Sequence, residues 1–196
     1  MIKKLLFFIK ILFLYQLSIS ICLADLQKNI INRLTATQTL TFNFKQKISD
    51  NEENGICFIK YPLLMKCNYN NLKEKIIISN GKTVAIIKKK YKKIYLYPIK
   101  STPLFFILKK EKIIDLIRKT SPTKIDSELI EFMFMDVVNK KKTNVVKIFF
   151  DKNSLNLKGW ETLDTYSNKV TFQIENLKIN NQILDNFFKI PQEKDL

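Results

Sequence analysis

Few side chains in this sequence are equipped to do chemistry. Cys57 and Cys67 stand five residues either side of Pro62 in the stretch GICFIKYPLLMKCNY, residues 55–69; the third cysteine, Cys22, lies in an apolar N-terminal run. Such a pair can hold a metal, cycle as a redox dithiol, or staple a bend. Structural zinc needs four Cys or His ligands, and the chain has no histidine and no second cysteine pair. The C-x-x-C spacing of redox motifs is absent too. Without histidine there is no Ser-His or Cys-His dyad and no imidazole acid or base. Three glycines, at 55, 81 and 159, cannot build a loop that cradles phosphate. The carboxylates Glu128, Glu131, Asp136 and Glu161 are scattered rather than paired. No catalytic residue, metal site or cofactor is expected, and an exported hydrolase using these carboxylates is the weakest of the functional readings.

The redox state of the cysteines depends on compartment. The chain opens MIKK, continues through the apolar LLFFIKILFLYQLSISI, and reaches Ala24 just before Asp25. A charged start, an apolar centre and a small residue at the cut site describe a secretory signal. A membrane anchor is the alternative, but the run is short for a bilayer crossing of about 20 residues and Lys10 interrupts it. Lipid attachment at Cys22 would want a small residue before it, and Ile21 stands there. The reading is therefore a cleaved signal over residues 1–24 and one exported domain over 25–196, in an oxidising compartment that favours disulfides. The formal net charge of +16 comes from 34 Lys+Arg against 18 Asp+Glu. The lysines are spread along the chain, and an exported protein rarely meets nucleic acid, so no nucleic-acid partner is expected.

The elements that must carry these residues follow from periodicity. Leu26, Ile30, Ile31 and Leu34 repeat at helical spacing behind Asp25 as an N-cap. Leu40, Phe42 and Phe44 then alternate with polar residues, as in a strand with one buried face. Strand-like runs flank Pro62. EKIIIS and KTVAII flank an Asn80-Gly81 turn, a strong hairpin signal. KKKYKK, residues 88–93, reads as a solvated turn, and YKKIYLYPI as a further strand. Ser101-Thr102-Pro103 opens a second helical region to Thr120, closed by Pro122. Four strand-like runs follow, and DNFFKIP reads as a last short strand. The order predicts one strongly curled antiparallel sheet, of about 10–11 strands, with helices on one face. The 15 Phe and 7 Tyr fill such a sheet either as an ordinary core or as the wall of a cavity.

The ordered set of motifs resembles the periplasmic outer-membrane lipoprotein carrier family, LolA, over nearly the whole exported part. Phe44-Lys45-Gln46 is similar to that family's F-x-Q, and Gly55 followed by IKYP (Ile59 to Pro62) to its glycine and K-R-P hairpin. SNGKT (Ser79 to Thr83) is similar to its S-[DN]-G-K-T turn, and TPLFFIL (Thr102 to Leu108) to the start of its lid helix. VVKIFFDKNSL, GWETLD and FFKIP fall in the order of its C-terminal strands. The resemblance implies an incomplete β-barrel with a helical lid over an apolar cavity. It implies acyl-chain contacts from Phe42, Phe44, Cys57, Ile59, Tyr61, Met65, Tyr69 and Trp160, and a lid built on Leu26, Ile30, Leu34, Leu104, Phe105 and Leu108. It also implies a monomeric periplasmic chaperone. Such a carrier takes lipid-modified lipoproteins from an inner-membrane ABC exporter and passes them to an outer-membrane receptor. A lipid-binding or sensing domain on the same half-barrel is the alternative, because fold does not fix function.

One position departs from the family. Where an Arg usually precedes the hairpin Pro and holds the lid, this chain has Tyr61. As for the cysteines, a hairpin centred on Pro62 would set Cys57 opposite Cys67 and Ile59 opposite Met65. That places the thiols within reach of a cross-strand disulfide. A two-residue turn at Pro62-Leu63 would put them out of line and leave two small buried thiols.

Overall fold

The computed structural model describes residues 24–138, 142–164 and 166–196, with 136–138 and 142–144 described by their backbone alone. The expected signal, residues 1–24, lies outside the described residues except for Ala24. Chain order gives helix α1 over residues 24–36, then strands β1 (Thr39–Ile48), β2 (Asn51–Lys60), β3 (Leu64–Tyr69), β4 (Lys75–Asn80), β5 (Thr83–Lys88) and β6 (Lys93–Pro98). Helices α2 (Leu104–Leu108) and α3 (Lys110–Lys119) follow, then β7 (Lys124–Ile125), β8 (Leu129–Val138), β9 (Lys142–Asp151), β10 (Leu157–Leu163) and β11 (Lys169–Ile179).

All 11 strands form one antiparallel sheet in the order β6-β5-β4-β3-β2-β1-β11-β10-β9-β8-β7. It is therefore two meanders, β1–β6 and β7–β11, joined where β1 pairs β11. The two edge strands are not paired to each other, so the barrel stays open. α2 and α3 carry the chain from one edge to the other.

Side-chain alternation sets which face is buried. Leu40, Phe42 and Phe44 of β1 point inward beneath the helices, while Asn43 and Lys45 are exposed. Ile130, Phe132 and Phe134 of β8 and Val146, Ile148 and Phe150 of β9 do the same. Phe44 lies over Gly55, its pairing partner. A β-carbon at Gly55 would sit 2.8 Å from the Phe44 ring and 2.0 Å from the Asn68 carbonyl oxygen, so no other residue fits without moving backbone.

Three local features differ from the expectations. The β4–β5 hairpin turns at Gly81-Lys82, one residue later than Asn80-Gly81. The Asn80 side chain accepts the Lys82 and Thr83 amides, and Gly81 takes φ +92°. The helical region 101–120 is broken at Lys109 into a single turn and a ten-residue helix. DNFFKIP is not a strand: Asp185–Phe188 forms a 3₁₀ turn. It crosses the outer face of β3 and β4, whose edges are already paired on both sides, so no ladder is open to it. Phe187 there meets Phe58 edge-on at 4.9 Å, and Phe188 is buried. A small second core on this outer face joins Ile78, Ala85 and Ile87 to Ile94, Ile190 and Leu196.

Candidate functional site

The hairpin around Pro62 positions the wall of the candidate site. Its loop is Tyr61-Pro62-Leu63, and the register pairs Ile59 with Met65 and Cys57 with Cys67. The two cysteines form a disulfide, with Cα atoms 4.1 Å apart. The symmetric alignment about Pro62 thus holds, and the staple lies on the inner wall rather than at the surface.

From that wall, aromatic rings cross the sheet in contact. Tyr69 meets Phe44 edge-on at 4.8 Å, Phe44 stacks on Phe172 at 4.7 Å, and Phe172 stacks on Trp160 at 4.2 Å. Phe42 meets Phe172 edge-on at 6.2 Å. These rings come from β3, β1, β11 and β10, so they tie the two meanders together across their joint. Offset and edge-on aromatic contacts of this kind add modestly to the burial of their area. Tyr69 donates its hydroxyl to the Gln46 side-chain oxygen at 2.6 Å, tying β3 to β1. Burial pushes the Tyr69 phenol well above its usual range, keeping it a neutral donor. Lys75, paired with Glu53, lies 3.8 Å from the Tyr69 ring centroid.

The eight residues named for the wall all lie in or against one apolar cluster. Phe42, Phe44, Cys57, Ile59, Met65, Tyr69 and Trp160 are buried, and Tyr61 is partly buried. The helices cover them. Ile30 and Leu34 of α1 are buried, with Leu26 partly so. On α2, Leu108 is buried and Leu104 and Phe105 are only partly covered. The deepest side chains there are Phe106, Ile107 and Leu108 in succession. A single turn docked by its end places consecutive residues inward, which helical spacing does not foresee. Phe106 reaches Phe134, with ring centroids 5.6 Å apart. Ile113, Ile114 and Ile117 of α3 complete the cover. Beside Tyr61, Leu34 and Leu40, between α1 and the sheet, lies a void of about 10 Å³.

Polar links hold the helix layer at its margins. Gln27 of α1 donates to the Ile117 and Thr120 carbonyls at the far end of α3, at 2.7 and 2.6 Å. At the other end, the Lys110 ammonium donates to the Thr37 and Thr35 carbonyls, at 2.8 and 3.2 Å, where α1 stops. α1 and α3 are therefore antiparallel and clamped at both ends. The Arg33 Nε donates to the Asn156 side chain at 2.7 Å, tying α1 to the β9–β10 loop. Finally, the Leu63 amide donates to the Leu108 carbonyl at 3.0 Å, so the hairpin loop holds the end of α2 directly. None of these partners has a local sequence signal, because each joins residues far apart in the chain.

Tyr61 sits among these links. Its phenol oxygen is buried with no hydrogen-bond partner among the described residues. Burial pushes its pKa well up, with the Glu111 charge adding a little. Its ring faces the Lys110 ammonium, 5.5 Å from the centroid, within range for a cation–π contact. The cation at this corner thus comes from the lid helix and not from the hairpin.

Residues 35–191 match the model of the family described as "Outer membrane lipoprotein carrier protein LolA". The chain belongs to the LolA family. No curated protein matches it. Among solved structures, a LolA superfamily protein from Nitrosomonas europaea is 6% identical with a TM-score of 0.46, over 86% of this chain and 97% of that one. An uncharacterized conserved protein from Thermus thermophilus is 8% identical with a TM-score of 0.47, over 86% and 94%. At such identities and scores the likeness carries no functional weight.

Proposed function

We propose that this LolA-family protein is a periplasmic carrier that takes the acyl chains of lipid-modified lipoproteins onto the inner face of its sheet, beneath α1–α3. One observation supports the reading above the rest. A helix layer covers a continuous apolar face, yet its polar fastenings are few and lie at its margins. Such a layer can lift without breaking the sheet's own hydrogen bonds, because every strand pairs only with other strands.

The chemistry of the cargo asks for this. Each buried CH₂ of an acyl chain is worth about 0.8 kcal/mol, so a sixteen-carbon chain holds a lipoprotein in its bilayer by roughly 12 kcal/mol. A second or third chain puts spontaneous exit out of reach. A carrier must offer apolar surface of similar extent at the moment of exit. Moving the helices exposes Phe42, Phe44, Ile59, Met65, Trp160 and their neighbours to acyl chains instead of to Phe106, Ile107, Leu108, Ile113 and Ile117. The lid's own burial sets the cost of opening, and acyl contacts replace it.

In this reading the protein is a monomer that collects cargo from an inner-membrane ABC lipoprotein exporter. It then gives the cargo up to an outer-membrane receptor. Inner-membrane vesicles carrying a labelled lipoprotein and the exporter test this: the protein should draw the label into the soluble fraction as a one-to-one complex. Binding of free acyl chains without any release of lipoprotein would refute the carrier and leave a lipid-binding domain.

A further inference from the structure

We propose that the β5–β6 edge of the sheet is a docking surface for an anionic phospholipid bilayer. The charge distribution is the first reason. Between Glu74 and Glu111 the chain has no acidic residue and ten lysines, and all 18 Asp and Glu lie outside this segment. A basic bias spread evenly along the chain would not leave so long a stretch free of acids. Its lysines gather at the tip of the hairpin: Lys89 and Lys90 sit in an exposed 3₁₀ turn, Lys92 follows in the left-handed region, and Lys93 opens β6. Acidic residues flank this edge without matching its lysines: the Glu193 carboxylate accepts the Ile94 amide and lies 4.0 Å from Lys93, and beside the hairpin tip the Glu74 carbonyl accepts the Lys89 amide at 3.5 Å.

The aromatic residues give the second reason. Tyr91, Tyr95, Leu96 and Tyr97 are 53%, 45%, 61% and 43% exposed on this same edge. Tyr95 and Tyr97 pair with Ile86 and Val84 and so lie on the inner face, while Leu96 pairs with Ala85 on the outer face. β6 therefore presents apolar side chains from both faces. A flat acidic protein surface would meet one face of a strand, whereas an interfacial layer can take both. Tyrosines with apolar bodies and polar tips settle at headgroup level, and lysines beside them attract anionic lipid. The free backbone groups of an edge strand cannot enter hydrocarbon, which limits the insertion to that depth.

The third reason is position. The single turn Ile99–Ser101 joins β6 to α2, so this edge is continuous with the helix layer. A bilayer docked here would face the end of the sheet's inner face, which Tyr95 and Tyr97 extend. The inference goes beyond the carrier reading and does not need it, since the surface is defined without reference to cargo.

Flotation of the intact protein with vesicles of phosphatidylglycerol and phosphatidylcholine, against vesicles of phosphatidylcholine alone, tests it. The protein should float with the anionic vesicles at low salt and lose most, but not all, of that binding as salt rises. Each surface lysine is worth about fivefold in such affinity, so the triple variant Lys89→Gln, Lys90→Gln, Lys92→Gln should bind on the order of a hundredfold more weakly. A control triple of Lys152→Gln, Lys158→Gln and Lys178→Gln should bind nearly as the parent does. Tyr95→Ser with Tyr97→Ser should remove the part of the binding that survives high salt. These side chains are exposed, so an unchanged melting temperature verifies each fold. Equal binding to both kinds of vesicle, or equal loss in the two lysine triples, would overturn the proposal. So would absence of vesicle binding, including the case where a crosslinker at position 96 captures a protein partner instead. Uptake of a fluorescent acyl probe, measured separately, reports on the carrier reading and should be unaffected by the lysine variants.

Discussion

Lys110 offers the sharpest test of how the helix layer is held. Lys110→Met keeps the aliphatic stem and removes the ammonium that bonds the Thr37 and Thr35 carbonyls and faces the Tyr61 ring. A hydrogen bond to a charged group is worth about 1.5–3 kcal/mol when buried, but Lys110 is only partly buried and one of its two bonds is exposed. Exposed charge contacts are worth about 0–1 kcal/mol, and a cation at a helix C-terminus about 0.3–1. Part of the gain is also cancelled by desolvation, which lowers the Lys110 pKa. A net loss of about 1–2 kcal/mol follows, equivalent to a roughly 5–30-fold rise in the open population. Hydrogen exchange reads this directly: amides of α1 and α3 should exchange faster by that factor, while those of β2 and β3 keep their rates. Lys110→Arg should restore most of the protection. Equal acceleration in α1 and β3 would mean the whole fold had weakened, and unchanged α1 rates would mean that Lys110 holds nothing. Either result refutes the latch.

Replacing both cysteines by serine should leave the fold and lower its stability by roughly 2–3 kcal/mol, the chain-entropy value for so short a loop, read as a shift in the denaturant midpoint. Leu108→Glu puts a carboxylate in a fully apolar position, so acyl-probe uptake and lid protection should collapse together unless the site tolerates a charge, which would contradict its burial. The Asp126 carboxylate is held down to a pKa of about 2 by the Glu128 and Leu129 amides and by Lys124. Its folded value lies below the unfolded value of about 3.9, so its contribution is complete above about pH 4 and fades as pH falls toward 2. Asp126→Asn should flatten that part of the acid-unfolding curve. Raising salt should slow transfer to partner membranes or proteins yet leave a loaded complex intact, and cargo lost to salt in size-exclusion runs would show that apolar contacts do not hold it.

Local patterns in the sequence went far toward the sheet. The alternation of Leu40, Phe42 and Phe44 gave the buried face of β1, and the symmetry of GICFIKYPLLMKCNY about Pro62 gave the register that brings Cys57 to Cys67. Its three-residue loop, with Leu63 at φ +68°, is what preserves that symmetry. Where the structure departs from the expected elements, the cause lies in long-range packing. Adjacent phenylalanines in DNFFKIP satisfy a strand's composition, but composition does not say whether any strand edge is free. Leu104, Phe105 and Leu108 fit helical spacing and pack on the core, but the break at Lys109 leaves one turn whose end also buries Phe106 and Ile107. The links from Gln27, Arg33 and Lys110 reach carbonyls and a side chain 73 to 123 residues away, and no window along the chain contains both partners. Tyr61 was marked only by standing where the family keeps arginine.

The joint between β1 and β11 has a consequence for how the chain must assemble. Each meander pairs strands that are neighbours in sequence, so each can form as its own residues become available. The ladder that unites them pairs Leu40 with Ile179 and Ile48 with Val170, and contacts so distant in sequence close slowly. Until the last strand arrives, one side of β1 has no partner although Phe42 and Phe44 already give it an apolar face. An unpaired strand of this kind is a template for another chain. During synthesis, the interval before β11 emerges is therefore when the molecule is most open to exchanging strands with a second copy. Substitutions that delay β11 should raise the yield of swapped dimers more than they lower the stability of the finished fold.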